Sequence, residues 1–427
     1  MRTLIKNGRV LDPKTGADET LDILIEDGRI ADVKPSIKAR DATVIDASRL
    51  VVAPGFIDMH VHLREPGQTA KETIESGTRA AARGGFTSVC AMPNTKPPND
   101  ERAVTEFVLA QASKKAAVNV FPIAALTKGL LGWEVTDMAE LAAAGALAFS
   151  DDGRCVQDNR VMTRVFETAK SLDALVIDHC EDRPLWEGGV MNEGAASRRL
   201  GLPGIPAAAE DLMVSRDIIL AEALGVRVHI AHLSSQGAVR LVREAKARGV
   251  PISAEATPHH LLLSDEDVDK KQTSFKVNPP LRSPADVRAL VAAVKDGTID
   301  VFATDHAPHS AKDKDVPFEK APFGMVGLET AVSLLLDRLV GRGVISIMRF
   351  VEMMSSTSAA LLGLKAKGRI AAGADADLTI LNLHKTVTVD AASFASKSRN
   401  TPFDGWKLKG APAMTIVGGR VVYPFTP

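Results

Sequence analysis

Histidine and aspartate side chains recur along the 427-residue chain directly after short apolar runs. His60 and His62 are two positions apart, so on a β-strand both imidazoles project to the same side. Three further candidates follow other apolar runs: His179, His232 and Asp305. A set of imidazoles and a carboxylate without a thiolate is typical of a catalytic zinc site.

The number of candidate ligands exceeds what one metal ion needs. A tetrahedral zinc takes four ligands, whereas the chain adds a pair of aspartates, Asp151 and Asp152, to the five side chains above. Two ions about 3.5–4 Å apart, bridged by a carboxylate and a hydroxide, would use such a set. The residues therefore predict two zinc ions per chain, with either aspartate as the bridge.

These side chains need a scaffold that brings distant parts of the chain together. Apolar runs alternate with helical stretches in the middle of the chain, at 51–57, 86–92, 118–124, 145–149, 174–178, 226–232, 250–256 and 299–304. Strand–helix alternation predicts parallel strands, and eight units fit an α/β fold of the (β/α)8 TIM-barrel type. No glycine-rich phosphate-binding loop follows the first of these runs, as it usually would in a doubly wound sheet. A barrel gathers the carboxyl ends of its strands at one face, where the candidates would converge.

The two ends of the chain differ from the middle and resemble each other. Asn7-Gly8 and Asp27-Gly28 stand between β-branched runs, which predicts hairpin turns. Similar short strands return near the C-terminus in DLTILNL and AMTIVGGRVVYP. We expect one small β domain built from residues 1–53 and 366–427, around a catalytic barrel at 54–365.

Composition excludes several classes of protein. Fifty-two basic against 53 acidic residues give a formal charge of −1, so no basic field favours nucleic acid. Three cysteines are too few for a disulfide framework. The first residues lack the apolar core of a signal peptide, and no apolar run is long enough for a bilayer. The sequence predicts a cytoplasmic protein that binds neither membrane nor nucleic acid.

Eight short motifs together resemble the landmarks of the dihydroorotase family of the amidohydrolase superfamily. They occur in the family's order as GFIDMHVHLREPG, AMPNT, FSDDG, DHCED, HIAHLSS, ATPHHLLL, KVNPPLR and FATDHAPH. The resemblance covers essentially the full chain. It implies a zinc-dependent metal hydrolase that reversibly cyclises N-carbamoyl-L-aspartate to L-dihydroorotate in pyrimidine biosynthesis.

The resemblance also implies a role for each candidate ligand. One zinc would be held by His60, His62 and Asp305, and the other by His179 and His232. Asp152 would take the bridging position that a carboxylated lysine fills in other relatives, with Asp151 as the alternative. Asp305 would in addition carry a proton to the leaving nitrogen.

A second group of residues is implied in substrate binding. The family's substrate carboxylate would be bound by Arg64, Asn94 and His309, with His62 adjacent, and its ring by Asn278 and the Phe323-Gly324 backbone. Arg64 is a planar donor suited to a carboxylate. From the residues alone, however, Arg64 could pair with a nearby glutamate, and the two asparagines could serve only in loops.

Two other functions stay open at this point. A hydantoinase or allantoinase would share the barrel, although no lysine stands near Asp152 to be carboxylated. A catalytically silent relative could serve as a structural partner of aspartate transcarbamoylase, but such a protein would be expected to have lost metal ligands. The resemblance favours a homodimer and leaves association with a transcarbamoylase open. The charged run 310–315 is interpreted as part of a solvated loop that covers the substrate.

Overall fold

The computed structural model describes residues 2–423, and its first five strands belong to one sheet. These strands are β1 (Arg2–Asp12), β2 (Ala17–Glu26), β3 (Arg29–Lys34), β4 (Thr43–Asp46) and β5 (Val51–Pro54). The first three pair in antiparallel fashion, and β4 and β5 run parallel to β1. Asp27-Gly28 forms the predicted turn between β2 and β3, with positive φ at both residues.

The prediction of a hairpin turn at Asn7-Gly8 is wrong. These residues lie inside β1, where the pairing with β2 shifts register between Ile5 and Gly8, as in a β-bulge. A Cβ on Gly8 would lie 2.5 Å from Cγ2 of Val52, so the glycine allows β5 to pack closely. The Asn-Gly pair therefore serves strand packing rather than chain reversal.

Both ends of the chain complete this sheet. The C-terminal strands are β16 (Leu378–Thr388), β17 (Lys407–Val417) and β18 (Arg420–Tyr423), which follow the barrel strands described next. Strand β16 pairs antiparallel with β5, and the sheet order is β18-β17-β16-β5-β1-β2-β3, with β4 also on β1. A β domain formed from both termini is thereby confirmed, whereas its boundaries at 53 and 366 stay predictions.

Eight parallel strands form the second sheet. They are β6 (Phe56–Val61), β7 (Phe86–Ala91), β8 (Asn119–Ala124), β9 (Ala148–Phe149), β10 (Val176–Asp178), β13 (Val228–Ile230), β14 (Ile252–Ala256) and β15 (Val301–Phe302). The short β11 (Met191–Asn192) and β12 (Gly204–Ile205) pair only with each other. After β15, Val61 and His306 form a parallel bridge, and the His62 N–H donates to the His306 carbonyl over 2.9 Å. The last strand region thus meets the first, and the predicted barrel is confirmed.

Helices surround this barrel. Their bounds are α1 (Ile74–Arg83), α2 (Arg102–Lys115), α3 (Met138–Ala143), α4 (Asn159–Ser171), α5 (Arg183–Trp186), α6 (Ala195–Leu200), α7 (Ala208–Leu224), α8 (Gln236–Ala247), α9 (Pro258–Leu262), α10 (Pro284–Asp296), α11 (Ala311–Lys314), α12 (Ala331–Leu335), α13 (Ile347–Val351) and α14 (Thr357–Leu361). π-helical turns at Leu336–Val340 and Glu352–Ser356 continue α12 and α13. Within residues 2–423, no helix combines the length and the apolar character that crossing a membrane requires.

The sequence around α10 explains where such a helix starts and stops. The Ser283 side chain accepts from the Asp286 N–H, Pro284 occupies the first turn, and Gly297 at φ 83° ends the helix. Buried residues on α10 include Leu290, which faces the barrel core. The same core contains Phe350, whose ring packs 5.5 Å from Phe56 of β6 and 6.4 Å from Phe302 of β15. Aromatic packing therefore supports the seam where the barrel closes.

Candidate active site

The first ligand group lies on both sides of this seam. His62 Nε2 is 3.0 Å from Asp305 Oδ1, and His60 Nε2 is 3.6 Å from the same oxygen. All three side chains are buried, and their ligand atoms lie within 4.8 Å of one another. Asp305 has φ 46°, a left-handed conformation that is unusual for a residue with a side chain. Residues 243 positions apart in the sequence are thereby joined at one point.

The second ligand group surrounds the Asp152 carboxylate. Asp152 Oδ1 is 3.2 Å from His60 Nε2 and 3.8 Å from His232 Nε2, while Oδ2 is 3.4 Å from His62 Nε2. His179 Nδ1 is 3.7 Å from Asp152 Oδ1 and 2.9 Å from His232 Nε2. All four histidines and both aspartates predicted as ligands thus meet in one buried cluster, with Asp152 between the two groups.

Asp151 is turned away from this cluster. Its Oδ1 accepts from the backbone N–H groups of Leu126 and Thr127 over 2.8 and 3.0 Å, and its Oδ2 accepts from the Thr127 hydroxyl. Burial raises the pKa of Asp151 to about 6 despite these bonds. Of the two neighbouring aspartates, Asp152 faces the histidines and Asp151 holds the loop after β8.

The charges in the cluster suit a metal cation. Burial by itself would lower the pKa of His60, but the carboxylates of Asp152 and Glu255 outweigh it and raise the pKa well above its ordinary value. Burial favours the neutral form of Asp152, yet His60 and His232 hold its pKa well below the usual range. His60 Nε2 is buried without a hydrogen-bond partner among residues 2–423. An unpartnered imidazole nitrogen between carboxylates fits a divalent ion such as zinc.

Hydrogen bonds from neighbouring side chains fix the orientation of several of these imidazoles. His62 Nδ1 lies 2.8 Å from Asn94 Oδ1, and the Asn94 amide nitrogen donates to Asp152 Oδ2 over 3.3 Å. Asn94, predicted for substrate binding, therefore also holds two candidate ligands. His179 Nε2 lies 3.4 Å from Glu181 Oε2. Such contacts orient the ring nitrogen that faces the metal.

Asn278 lies beside the second ligand group. Its amide nitrogen is 2.9 Å from Glu181 Oε2 and 3.3 Å from His179 Nε2, and its oxygen is buried without a hydrogen-bond partner in the described chain. The predicted ring-contacting residue is thus next to the histidines. Sequence reasoning missed Glu181 and Glu255, although a glutamate inside the apolar run 250–256 was an available signal.

Arg64 and His309 form a separate side of the site. Arg64 is buried at φ 60°, and its Nε donates to the Pro308 carbonyl over 3.3 Å. Burial lowers the pKa of Arg64 to about 10, so the guanidinium stays charged at neutral pH. His309 Nε2 lies 2.8 Å from the Phe323 carbonyl and donates to it. Burial and the Arg64 charge keep the pKa of His309 well below its ordinary value, so its Nδ1 lone pair is available.

The loop after β15 packs tightly around these groups. Gly324 has φ 126°, and a Cβ there would lie 2.6 Å from the Ala307 Cβ, so the backbone approach requires glycine. The charged run 310–315 contains the short helix α11 and is exposed or half-buried, as expected of a solvated segment, and its role in covering the substrate stays a prediction. Lys314 Nζ donates to the carbonyls of Thr273 and Pro322 over 3.1 and 2.7 Å. Burial, with the nearby Lys276 charge, lowers the pKa of Lys314 to about 7.

Comparisons with known proteins show the family of this chain. A family model described as dihydro-orotase-like matches residues 48–238, and an amidohydrolase family model matches residues 221–423. A dihydroorotase from Pelotomaculum thermopropionicum is 56% identical over 422 residues, which cover 99% of this chain and 98% of that relative. The chain belongs to the dihydroorotase family. A dihydroorotase from Geobacter metallireducens is 50% identical over 424 residues, covering 99% of this chain and all of the relative.

Solved structures of hydantoinases share the fold of this dihydroorotase family member. An L-hydantoinase from Arthrobacter aurescens superposes with a TM-score of 0.89 at 27% identity, over 100% of this chain and 96% of that one. A D-hydantoinase from a Thermus species gives 0.85 at 28% identity, over 99% and 95%. The shared architecture includes the barrel and the sheet formed by both termini.

Proposed function

We propose that the chain is a dihydroorotase, which reversibly closes N-carbamoyl-L-aspartate to L-dihydroorotate with loss of water, as a step of pyrimidine biosynthesis. The observation that carries the proposal is the buried cluster of four histidines and two aspartates, with Arg64 and His309 alongside. The identity to curated dihydroorotases over nearly the full chain supports the choice of substrate.

The proposed metal content is two zinc ions per chain. The ligands would be His60, His62 and Asp305 for one ion and His179 and His232 for the other, with Asp152 shared between them. Zinc bound there lowers the pKa of water and polarises an amide carbonyl. Five nitrogen or oxygen donors around a shared carboxylate support two ions better than one, because structural zinc is satisfied by four.

Asp305 is the proposed proton carrier. Burial would favour its neutral form, but hydrogen bonding to His62 and the charges of the other histidines hold its pKa well below the usual range. It is therefore ionised and can accept a proton from the attacking water. It then donates that proton to the ring nitrogen as the C–N bond breaks. In the cyclising direction it takes the proton from the ureido nitrogen.

Arg64 is the proposed recognition element for the substrate carboxylate. A buried guanidinium offers paired N–H donors in a setting of low dielectric, where a charge-assisted hydrogen bond is strong. His309 Nε2 donates to the Phe323 carbonyl, and its Nδ1 is buried without a hydrogen-bond partner among the described residues, which leaves it free for a substrate group. In this proposal Asn94 and Asn278 complete the pocket, and the backbone of Phe323 and Gly324 contacts the ring. A plain hydantoin lacks the carboxylate and would leave Arg64 unpaired.

The deciding experiment is ring opening of L-dihydroorotate by the purified full chain, followed in the ultraviolet. We expect turnover that a chelator abolishes and zinc restores, with hydantoin and allantoin as poor substrates. Rapid hydantoin opening would instead indicate a hydantoinase. No turnover in a zinc-replete sample would favour a silent partner of aspartate transcarbamoylase. The homodimer, the transcarbamoylase association and the cytoplasmic location stay predictions.

A further inference from the structure

Glu255 lies on β14 directly behind the candidate ligands and is completely buried. Its Oε1 is 2.7 Å from His60 Nδ1 and also accepts the backbone N–H of His232 over 3.1 Å. Its Oε2 is 3.2 Å from Nε2 of His229, a buried residue of β13. One oxygen of the Glu255 carboxylate thus contacts both His60, a proposed ligand of one zinc ion, and His232, a proposed ligand of the other.

The bond to His60 determines how that imidazole is presented. Because Nδ1 is engaged by Glu255, Nε2 is the ring nitrogen left to ligate a metal ion, and it faces Asp152 and Asp305 at 3.2 and 3.6 Å. A carboxylate that accepts a hydrogen bond from a ligating histidine fixes the orientation of the ring and raises its basicity as a metal ligand.

The bond to His232 acts on the backbone instead. His232 has φ 30°, a conformation that residues with side chains avoid unless the surroundings enforce it. The N–H that donates to Glu255 belongs to this strained residue, and its imidazole Nε2 faces Asp152 and His179. Loss of the acceptor would let the backbone relax and turn the ring away.

Packing of the barrel interior does not require a carboxylate at position 255. Among the described residues, the Glu255 carboxylate bonds to the imidazoles of His60 and His229 and to the His232 amide, with no lysine or arginine. A buried carboxylate costs free energy, and an apolar residue of similar volume is often as stable or more so. The charge is therefore best explained by the site in front of it.

We propose that Glu255 is a positioning residue that couples the two metal positions, holding the His60 ring for one and the His232 backbone for the other. This inference rests on the proposed two-zinc site. It requires that loss of Glu255 weakens both ions together, although neither is bound by Glu255 itself.

The test compares three variants of the full chain. Glu255→Leu removes the acceptor and the charge, whereas Glu255→Gln keeps an oxygen that can accept both bonds. Ser253→Ala is the matched control, because Ser253 is on the same strand and its hydroxyl is 2.8 Å from His229 Nδ1. Zinc per chain is titrated against a chelator, and the visible spectrum of cobalt-substituted protein reports ligand geometry.

We expect Glu255→Leu to lower the affinity of both ions by about 100-fold and Glu255→Gln by about tenfold, with Ser253→Ala unchanged. Two ions retained at wild-type affinity in both Glu255 variants, or loss of one ion alone, would overturn the inference. If Glu255→Leu does not fold, the isosteric Glu255→Gln decides, with the melting temperature of its zinc-free form checked against the wild type. Fewer than two zinc ions in the wild type would count against the proposed function instead.

Discussion

The side-chain amide of Asn400 donates to the carbonyl oxygen of Gly324 over 3.1 Å. The same nitrogen donates to the Ala307 carbonyl over 3.1 Å, and the Asn400 oxygen accepts the N–H of His309 over 3.2 Å. Asn400 lies between β16 and β17, which belong to the sheet formed by the chain ends. A residue outside the barrel strands thus ties together the two limbs of the loop that contains His309 and Gly324.

Asn400→Leu should therefore impair substrate binding more than the chemical step. Buried carbonyls left without a donor cost about 1–3 kcal/mol, which corresponds to a rise in KM for L-dihydroorotate of roughly tenfold or more. We expect kcat to change much less, because none of the candidate metal ligands bonds to the Asn400 side chain. Thr401→Val is the control, since among the described residues the Thr401 hydroxyl bonds only within its own segment, where it accepts from the Phe403 N–H. A larger fall in kcat than rise in KM would contradict this assignment.

Asp152→Asn and Asp151→Asn should differ in metal content. Asparagine at 152 removes the shared anion, so we expect zinc per chain to fall below two and ring opening to slow by at least about 100-fold. Asparagine at 151 keeps an oxygen for the Leu126 and Thr127 amides and should retain both ions. Metal analysis of the dialysed proteins provides the measurement. Equal zinc loss in the two variants would show that Asp152 has no special role.

Arg64→Lys should separate substrates by charge. The variant keeps a cation but loses the planar pair of donors, so kcat/KM for L-dihydroorotate should drop by roughly 10–100-fold. Dihydrouracil, an uncharged cyclic amide of similar shape, should lose little. Steady-state rates on both compounds give the comparison. Parallel losses would mean that Arg64 does not recognise the carboxylate.

Lys314 should make stability rise with pH above neutrality. Its pKa is lowered to about 7 in the folded chain by burial, whereas an unfolded lysine titrates near 10.4. Between these values the unfolded chain binds more protons, so raising the pH favours the folded state. For one proton, the free energy of unfolding can rise by no more than about 1.4 kcal/mol per pH unit, and contact of the side chain with solvent reduces this slope.

Lys314→Met should remove this slope. Relative to the wild type, its free energy of unfolding in urea should be higher at pH 7 than at pH 9.5, with zinc held constant. Lys312→Met is the control, because Lys312 is an exposed residue of the same helix. Curves for Lys314→Met and wild type that stay parallel across this range would rule out the assigned pKa.

The barrel and most of the ligand cluster could be predicted because position along a strand determines position in the fold. His60 lies at the end of β6 and His62 directly follows it, and parallel strands end at one face, so type and spacing indicated where the histidines meet. The choice of Asp152 over Asp151 needed more, because neighbouring residues on a loop point in directions that only tertiary contacts decide.

The remaining features depend on contacts between distant segments. The hairpin predicted at Asn7-Gly8 failed because the close approach of Val52 uses the glycine, and nothing in the local sequence reveals that neighbour. Asn400 was invisible for the same reason, since it acts on a loop more than 70 residues earlier. Glu255 was missed because a lone glutamate in an apolar run has no partner until β6 and β13 are placed beside it.

The seam between β6 and the segment after β15 has a consequence for synthesis of the chain on the ribosome. His60 and His62 emerge early, whereas Asp305 follows 243 positions after His62. The first ligand group therefore cannot assemble until nearly three quarters of the chain has been made and the last strand has reached the first. Metal capture at that complete group would be a late event, and a chain interrupted before Asp305 would lack one of the two carboxylates that face its paired histidines.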